Sequence, residues 1–375
     1  MRNKRFSALH LLLAVVVTLV VTAGGGLLLL RAVLGEEGAS LIEAFVRIRT
    51  QFVGEYDETE VVDSALEGMV DGLGDRWSHY LTQEEYQEQN QRRQNRYVGI
   101  GVTVSYEREE GLLITEVTAG GPAEAAGLQP GELITAVDGS SLAGEGRYDG
   151  PELIQGEAGT TVELTVQDSA GNVRTVKVER ADLETDPVES KMLEGNVGYV
   201  HLLNFYDNSA DRLEEAVTEL MEQGDEALVF DMRDNGGGYL HELTDMLDFL
   251  LPEGPIFITR DKAGHEAITN SDASCVELPM VVLVNADTYS AAEFFAAELQ
   301  EQGVAQIVGE PTSGKGYSQQ TFALPHGGAI SISTAAYFTG NGTSLIGTGL
   351  TLDQEVYQTG EGDTQLEAAL ELLEP

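Results

Sequence analysis

The chain has 375 residues, 63 acidic and 21 basic, giving a formal net charge of −42 at 42% hydrophobic content. That field repels phosphate backbones and makes nucleic acid an unfit partner, while length and composition are those of a globular chain of two or three domains. The single Cys275 excludes an internal disulfide, no cation beside it in "SDASCVELPM" favours a thiolate, and no Cys/His cluster or Asp/Asn ladder calls for zinc or calcium.

In chain order, Arg2, Lys4 and Arg5 precede "LLLAVVVTLVVTAGGGLLLL", 20 residues without a charge. A membrane-spanning helix needs about 20. Positive charge ahead of the span keeps the N-terminus in the cytoplasm and sends the chain beyond Arg31 across the membrane. The expectation is a basic tail over 1–10 and an uncleaved anchor over 11–34. A cleaved signal peptide is the rival, disfavoured because the apolar stretch resumes at Leu27 and outruns the usual h-region.

From Leu41 to Asn95 apolar residues recur at helical spacing (Leu41, Phe45, Ile48, Phe52, then Val62, Leu66, Met69, Val70, Leu73), broken by Gly72 and Gly74. "LTQEEYQEQNQRRQN" predicts a further helix capped by Thr82 with glutamates in its first turn. The period changes to two at "YVGIGVTVSYEREEGLLITEV". A short helix over 122–126, a strand over 132–137, a tight Asp138-Gly139 turn and strands at "TTVELTVQD" and "VRTVKVER" come next. These delimit a helical region over 36–95 and a small sheet domain over 96–181. After the polar segment 182–196, strands "VGYVHLLNF", "ALVFDMR", "MVVLVN" and "QIVGE" alternate with helices, which predicts an α/β layer fold with a largely parallel sheet over 182–375.

In such a sheet, ligands gather at the carboxyl ends of strands. Three loops stand there. "DNGGGYL" sets Gly236, Gly237 and Gly238 before a helix, so that backbone N–H groups face an anion. "NADTYSAAE" places Ser290 at a helix start. "GEPTSGKGYSQQ" isolates Lys315 among glycines and hydroxyls, with Gln319 four residues on. Each has a bland reading: a turn, a helix cap, a solvated charge. Together they supply the hydroxyl nucleophile, amine base and oxyanion donors of acyl transfer. A lysine serves as base only when neutral, which burial favours by penalising the ammonium. Gln319 is expected to orient that amine without adding negative charge. The rival base is His241, just beyond the glycine loop.

On these segments the chain resembles the bacterial carboxyl-terminal processing peptidases, exported or membrane-anchored serine endopeptidases with an embedded PDZ domain. "GLGDRWSHYLTQEEY" is similar to the family's segment ahead of that domain, and "YVGIGVTV" with "GGPAEAAGLQPGELITAVDGSSL" to its carboxylate-binding loop and the elements behind it. "DMRDNGGGYL", "NADTYSAAEFFAAEL" and "GEPTSGKGYSQ" are similar to the oxyanion, nucleophile and lysine segments, in order. The resemblance implies an α/β protease core with a ClpP/crotonase-like layered arrangement of sheet and helices, a β-rich PDZ insertion over 96–181 and a helical N-terminal region. It implies catalysis by Ser290, Lys315 and Gln319, an oxyanion hole from Gly237, Gly238 and Ala291, and capture of a substrate's terminal carboxylate at Val98, Gly99, Ile100 and Gly101. Substrates would be proteins or peptides with accessible C-termini, with no metal or organic cofactor, and the N-terminal helices would pair protomers into a homodimer. The expected location is the bacterial cell membrane, single-pass, with the catalytic part extracytoplasmic. Two other classes compete. One is a noncatalytic PDZ-bearing membrane scaffold that binds exposed C-termini; the other, a crotonase-like acyl-CoA enzyme, is disfavoured by the charge. Departures from the family pattern are Gly236 where proline is usual, Tyr289 and Ala292 around the nucleophile, and "TGNGTSLIGTGLTLDQEV" towards the end.

Overall fold

The computed structural model describes residues 8–360 and 362–373, and before residue 32 it describes side chains only at 13 and 15–18. The chain divides into two units, 1–64 and 65–375. In the first, helix α1 (Ala8–Gln51) is interrupted by Gly35 at φ 73, ψ −172. Its expected apolar stripe is present, but Leu41, Ile48 and Phe52 are exposed in the single chain. Residues 1–7 of the expected basic tail lie outside the described residues; across the expected anchor at 11–34 the backbone is helical, and most of the side chains there are not described. Among the described residues no helix is long and apolar enough to cross a membrane. Helix α2 (Glu58–Asp71) begins in the first unit and ends in the second.

The second unit continues with β1 (His79–Leu81) and α3 (Gln83–Arg92). Thr82 caps α3 as its sequence predicts. Its Oγ1 accepts the Glu85 N–H, and the Glu85 carboxylate accepts the Thr82 N–H at 2.8 Å.

Strands β2 (Arg96–Gly99), β3 (Val102–Ser105) and β4 (Leu112–Val117), helix α4 (Pro122–Ala125) and strands β5 (Leu133–Val137) and β6 (Ser140–Ser141) come next. Helix α5 (Gly150–Ile154) and strands β7 (Thr161–Gln167) and β8 (Val173–Glu179) complete the small domain. Its antiparallel sheet runs β3-β4-β5-β7-β8, with β6 on β5. The alternate apolar residues Leu112, Ile114, Val162, Leu164, Val176 and Val178 enclose its own core. The Asp138-Gly139 turn has φ 46 and φ 82, the two left-handed residues that a two-residue hairpin turn demands.

The polar segment after the small domain is not a plain linker. β9 (Ala181–Glu184) pairs antiparallel with β2, so the chain enters and leaves the domain on one ribbon, and β10 (Val188–Leu193) pairs antiparallel with β11 (Val197–Leu202). In β9 the long-range pairing with β2 overrides a low apolar content, whereas β10 is held by a local hairpin with β11. Helix α6 (Ser209–Gln223), strand β12 (Ala227–Asp231) and helix α7 (Leu240–Leu250) lie next along the chain, then strands β13 (Gly254–Asp261), β14 (Glu266–Ser271) and β15 (Met280–Val284). The remainder is α8 (Ala291–Glu301), β16 (Ala305–Gly309), β17 (Tyr317–Ala323), β18 (Ala329–Phe338), β19 (Gln354–Glu355) and α9 (Thr364–Leu373).

The main sheet has the order β10-β11-β12-β15-β16-β19 and is parallel apart from β10. Every residue of β12 and β15 is buried because both faces are covered, which is why these strands read as continuous apolar runs. Leu228, Phe230, Val282 and Val284 face the core shared with Leu213, Leu247 and Phe294 of α6, α7 and α8. Val229, Val281 and Leu283 face Ala369 of α9. A second, antiparallel sheet (β1-β18-β13-β14, with β17 on β18) is the main architectural feature that local periodicity does not announce. The departing "TGNG" stretch is held by α8: buried Glu298 accepts the Gly340 N–H and Glu301 accepts the Thr343 hydroxyl at 2.7 Å. Burial pushes the Glu298 carboxyl up to about 8.

Candidate active site

The three singled-out loops do leave the carboxyl ends of neighbouring parallel strands β12, β15 and β16. The first two are stitched together. Thr288 Oγ1 donates to the Met232 carbonyl at 2.8 Å, the Tyr289 N–H to the Asn235 carbonyl at 3.1 Å, and Asn285 Nδ2 to the Asp234 carboxylate at 2.8 Å. So braced, Ser290 sits immediately before α8 at φ 61, ψ −126, a conformation that side-chain-bearing residues rarely adopt. Such strain persists where surrounding bonds over-determine it, and it clusters at reactive sites.

The glycine loop packs against this serine. Gly237 has φ 81, and a Cβ on it would lie 2.7 Å from the Ala291 nitrogen; one on Gly238 would lie 2.2 Å from the Phe205 carbonyl oxygen. Side chains are therefore excluded at both. The Gly237 N–H, expected in the oxyanion hole, donates to Asn235 Oδ1 at 2.8 Å instead. Ala291, at the first position of α8, lies beside it with an N–H that has no acceptor within the helix.

The third loop is tied to the nucleophile by a residue that the motif reading passes over. Glu293, fully buried in α8, accepts the N–H groups of Ser290 (3.1 Å) and Lys315 (3.0 Å) on Oε2, and the Gly314 N–H (2.7 Å) and Thr312 hydroxyl (2.6 Å) on Oε1. One carboxylate thus spans both loops. Its signal was legible: Ser-x-x-Glu at a helix start is a capping signature.

The Lys315 amine lies 4.8 Å from the Trp77 ring centroid and 5.6 Å from that of Tyr289. Burial lowers its pKa to about 8; the Arg93 charge pushes the same way, against Glu293 and Asp75. Ser290 Oγ meets a different group, the hydroxyl of Tyr337 at 3.1 Å. No hydrogen bond joins the Ser290 hydroxyl and the Lys315 amine among those of the described residues. Gln319 does not turn onto the lysine: its amide donates to the Tyr317 carbonyl (2.9 Å) and Ser333 Oγ (3.0 Å), and Ser333 donates to Asp75 at 2.7 Å. Burial would raise the Asp75 pKa, but hydrogen bonds from Ser333, Ser78 and the Trp77 N–H outweigh it and hold the group below the usual range. Gln319 is thus linked to Asp75 by way of Ser333, and the charge of Asp75 acts on the lysine, raising its pKa against the effect of burial.

Ser290, Lys315, Gln319, Tyr337, Arg93 and Leu243 line one cleft of about 550 Å³. His241, the rival base, lines a different cavity; it is exposed and stacks on Tyr239 at 5.2 Å. In the small domain, Val98 and Gly99 are paired with Asp182 and Ala181, and the Ile100 side chain lies in the core. The Ile100 carbonyl accepts the Ala123 N–H at 2.8 Å. Because C=O and N–H point oppositely across a trans peptide, the Gly101 N–H faces away from α4.

The family profile described as "Peptidase family S41" matches residues 196–356, and that described as "PDZ domain" matches 113–168. The "Carboxy-terminal processing protease CtpA" of Bacillus subtilis is 30% identical over 322 residues, covering 83% of this chain and 69% of its own length. A "Carboxyl-terminal-processing protease" of Picosynechococcus is 33% identical over 315 residues, covering 80% and 76%. Among solved structures, a photosystem II D1 C-terminal processing protease aligns with a TM-score of 0.52 at 28% identity, over 90% of this chain and 91% of that one.

Proposed function

The chain belongs to peptidase family S41, among the carboxyl-terminal processing serine proteases, and from that premise we propose that Ser290 is its nucleophile and Lys315 its general base. The observation that carries this reading is the Glu293 carboxylate, which fixes the backbone of both residues while the lysine's burial favours the free amine. When a polypeptide docks, the Lys315 amine moves from the Trp77–Tyr289 cage to Ser290 Oγ and takes its proton. The oxygen attacks the scissile carbonyl, and the ammonium then protonates the leaving amine. The Ala291 N–H, with Gly237 or Gly238 once the loop turns an N–H inward, receives the oxyanion. Gln319 acts at one remove, through Ser333 and Asp75.

In this reading the PDZ domain selects substrates by their terminal carboxylate at the 98–101 turn, with the substrate strand added to its sheet. Residues 11–34 anchor the protein in the bacterial membrane with its catalytic part outside the cytoplasm, and the exposed apolar stripe of α1 pairs two copies. An unstructured tail-bearing polypeptide should be cleaved at least about tenfold faster, as kcat/KM, with a free C-terminus than with a C-terminal amide, the loss of one charge-assisted contact. Equal rates would reject the carboxylate role; binding without cleavage would favour the scaffold reading.

A further inference from the structure

Tyr337 sits near the end of β18 and is 5% exposed. Its ring is packed edge-on by Phe294 at 4.4 Å and, tilted by 39°, by Phe257 at 5.4 Å, and its backbone N–H donates to the carbonyl of Gly316, the residue after Lys315. Among the described residues, its hydroxyl makes one hydrogen bond, to Ser290 Oγ. A buried hydroxyl needs a partner, and the apolar rings around this one offer none. If the phenol donates its hydrogen bond to Ser290 Oγ, it is satisfied. The reverse assignment leaves the phenol O–H without an acceptor among the described residues. A serine oxygen that accepts one bond still has its own proton to give elsewhere.

We propose, resting on the reading of Ser290 as nucleophile, that Tyr337 is a catalytic residue of this site. Its hydroxyl donates to Ser290 Oγ, leaves the serine's proton for the Lys315 amine, and stabilises the oxygen as it gains negative charge. The phenolic proton stays on Tyr337 throughout: the Oγ proton passes to the amine, the Oγ–carbon bond forms, and the hydrogen bond from Tyr337 shortens and then relaxes. Burial raises the phenol's pKa, so it remains a donor across the working range. Clamping by the two rings means that no reorganisation is needed when charge develops, the condition under which a single donor is most effective.

Tyr337→Phe removes one oxygen and keeps the clamped ring. On a tail-bearing polypeptide, kcat should fall by about 10²- to 10³-fold, the loss seen when one preorganised donor is deleted. KM and the thermal midpoint should stay near wild type, and labelling of Ser290 by a fluorophosphonate should slow in parallel with kcat. Turnover at or above wild type would overturn the proposal, since the phenol would then merely hold the serine in an idle rotamer. A loss carried by KM or by a collapse in melting temperature would overturn it too, in favour of a packing role. Ser290→Ala is measured alongside: if that variant still cleaves, the nucleophile assignment itself has failed, a result distinguishable from failure of the tyrosine's role.

Discussion

Ser290→Ala is expected to abolish cleavage of an unstructured polypeptide, leaving at most the residual acceleration that oxyanion contacts and binding supply without a nucleophile, while kcat falls by about 10⁴-fold or more. The fold should survive. The hydroxyl's partner is Tyr337, and the bonds that brace the loop run through backbone groups and through Thr288, Asn285 and Glu293, which the substitution leaves in place. The left-handed backbone at φ 61 remains strained with alanine, as it is with serine. Gel-based cleavage with circular dichroism as the control for folding decides the matter: wild-type turnover by the variant removes Ser290 from the mechanism.

Lys315→Met should lose cleavage to a comparable degree and yet gain stability at neutral pH. Below pH 8 the folded chain holds an ammonium that it buries, whereas the unfolded chain holds the same ammonium in water. Methionine removes that burden, and a gain of about 1–2 kcal/mol is reasonable once partial exposure and the lost contacts with the Trp77 and Tyr289 rings are discounted. The lowered pKa sets the sign. Between about 8 and the ordinary 10.5, the unfolded wild type binds a proton that the folded one has released, so wild-type stability rises with pH relative to the variant and the gap closes. Thermal melts of both proteins at pH 7 and above pH 10 measure it. A variant less stable at pH 7 would mean that the lysine is held charged by its partners, not destabilised by burial. Lys315→Arg adds a chemical control: a guanidinium stays charged and should not serve as base.

How much of the chain was legible depends on how local each signal is. The apolar runs of β12 and β15 announce strands covered on both faces, the Thr82–Glu85 pair announces the start of α3, and Asp138-Gly139 announces its turn, each within a few residues. Placing Ser290, Lys315 and the glycine loop at one edge needed only the rule for ligands in open α/β sheets. The second sheet was not legible, because its ten-residue strand β18 alternates poorly in burial and is held by partners such as Ser78, 255 residues away from Ser333. Tyr337, Asp75 and Trp77 reach the site through that sheet or the segment beside it, so no motif around Ser290 or Lys315 points to them. Gln319 shows the converse limit: spacing put it near the lysine, but the register shift between Ser318 and Gln319 in the β17–β18 pairing and the Ser333 hydroxyl decide where its amide goes.

The central claim is that the Lys315 amine, free of its proton, activates Ser290. It is tested most directly by measuring fluorophosphonate labelling as a function of pH, with the labelled residue mapped by mass spectrometry. The label should fall on Ser290, its rate should rise with pH through an apparent pKa near 8, and Arg93→Gln should move that limb upward by removing a neighbouring positive charge. A limb centred near 6.5, the ordinary range of histidine, or a label on another residue would contradict it.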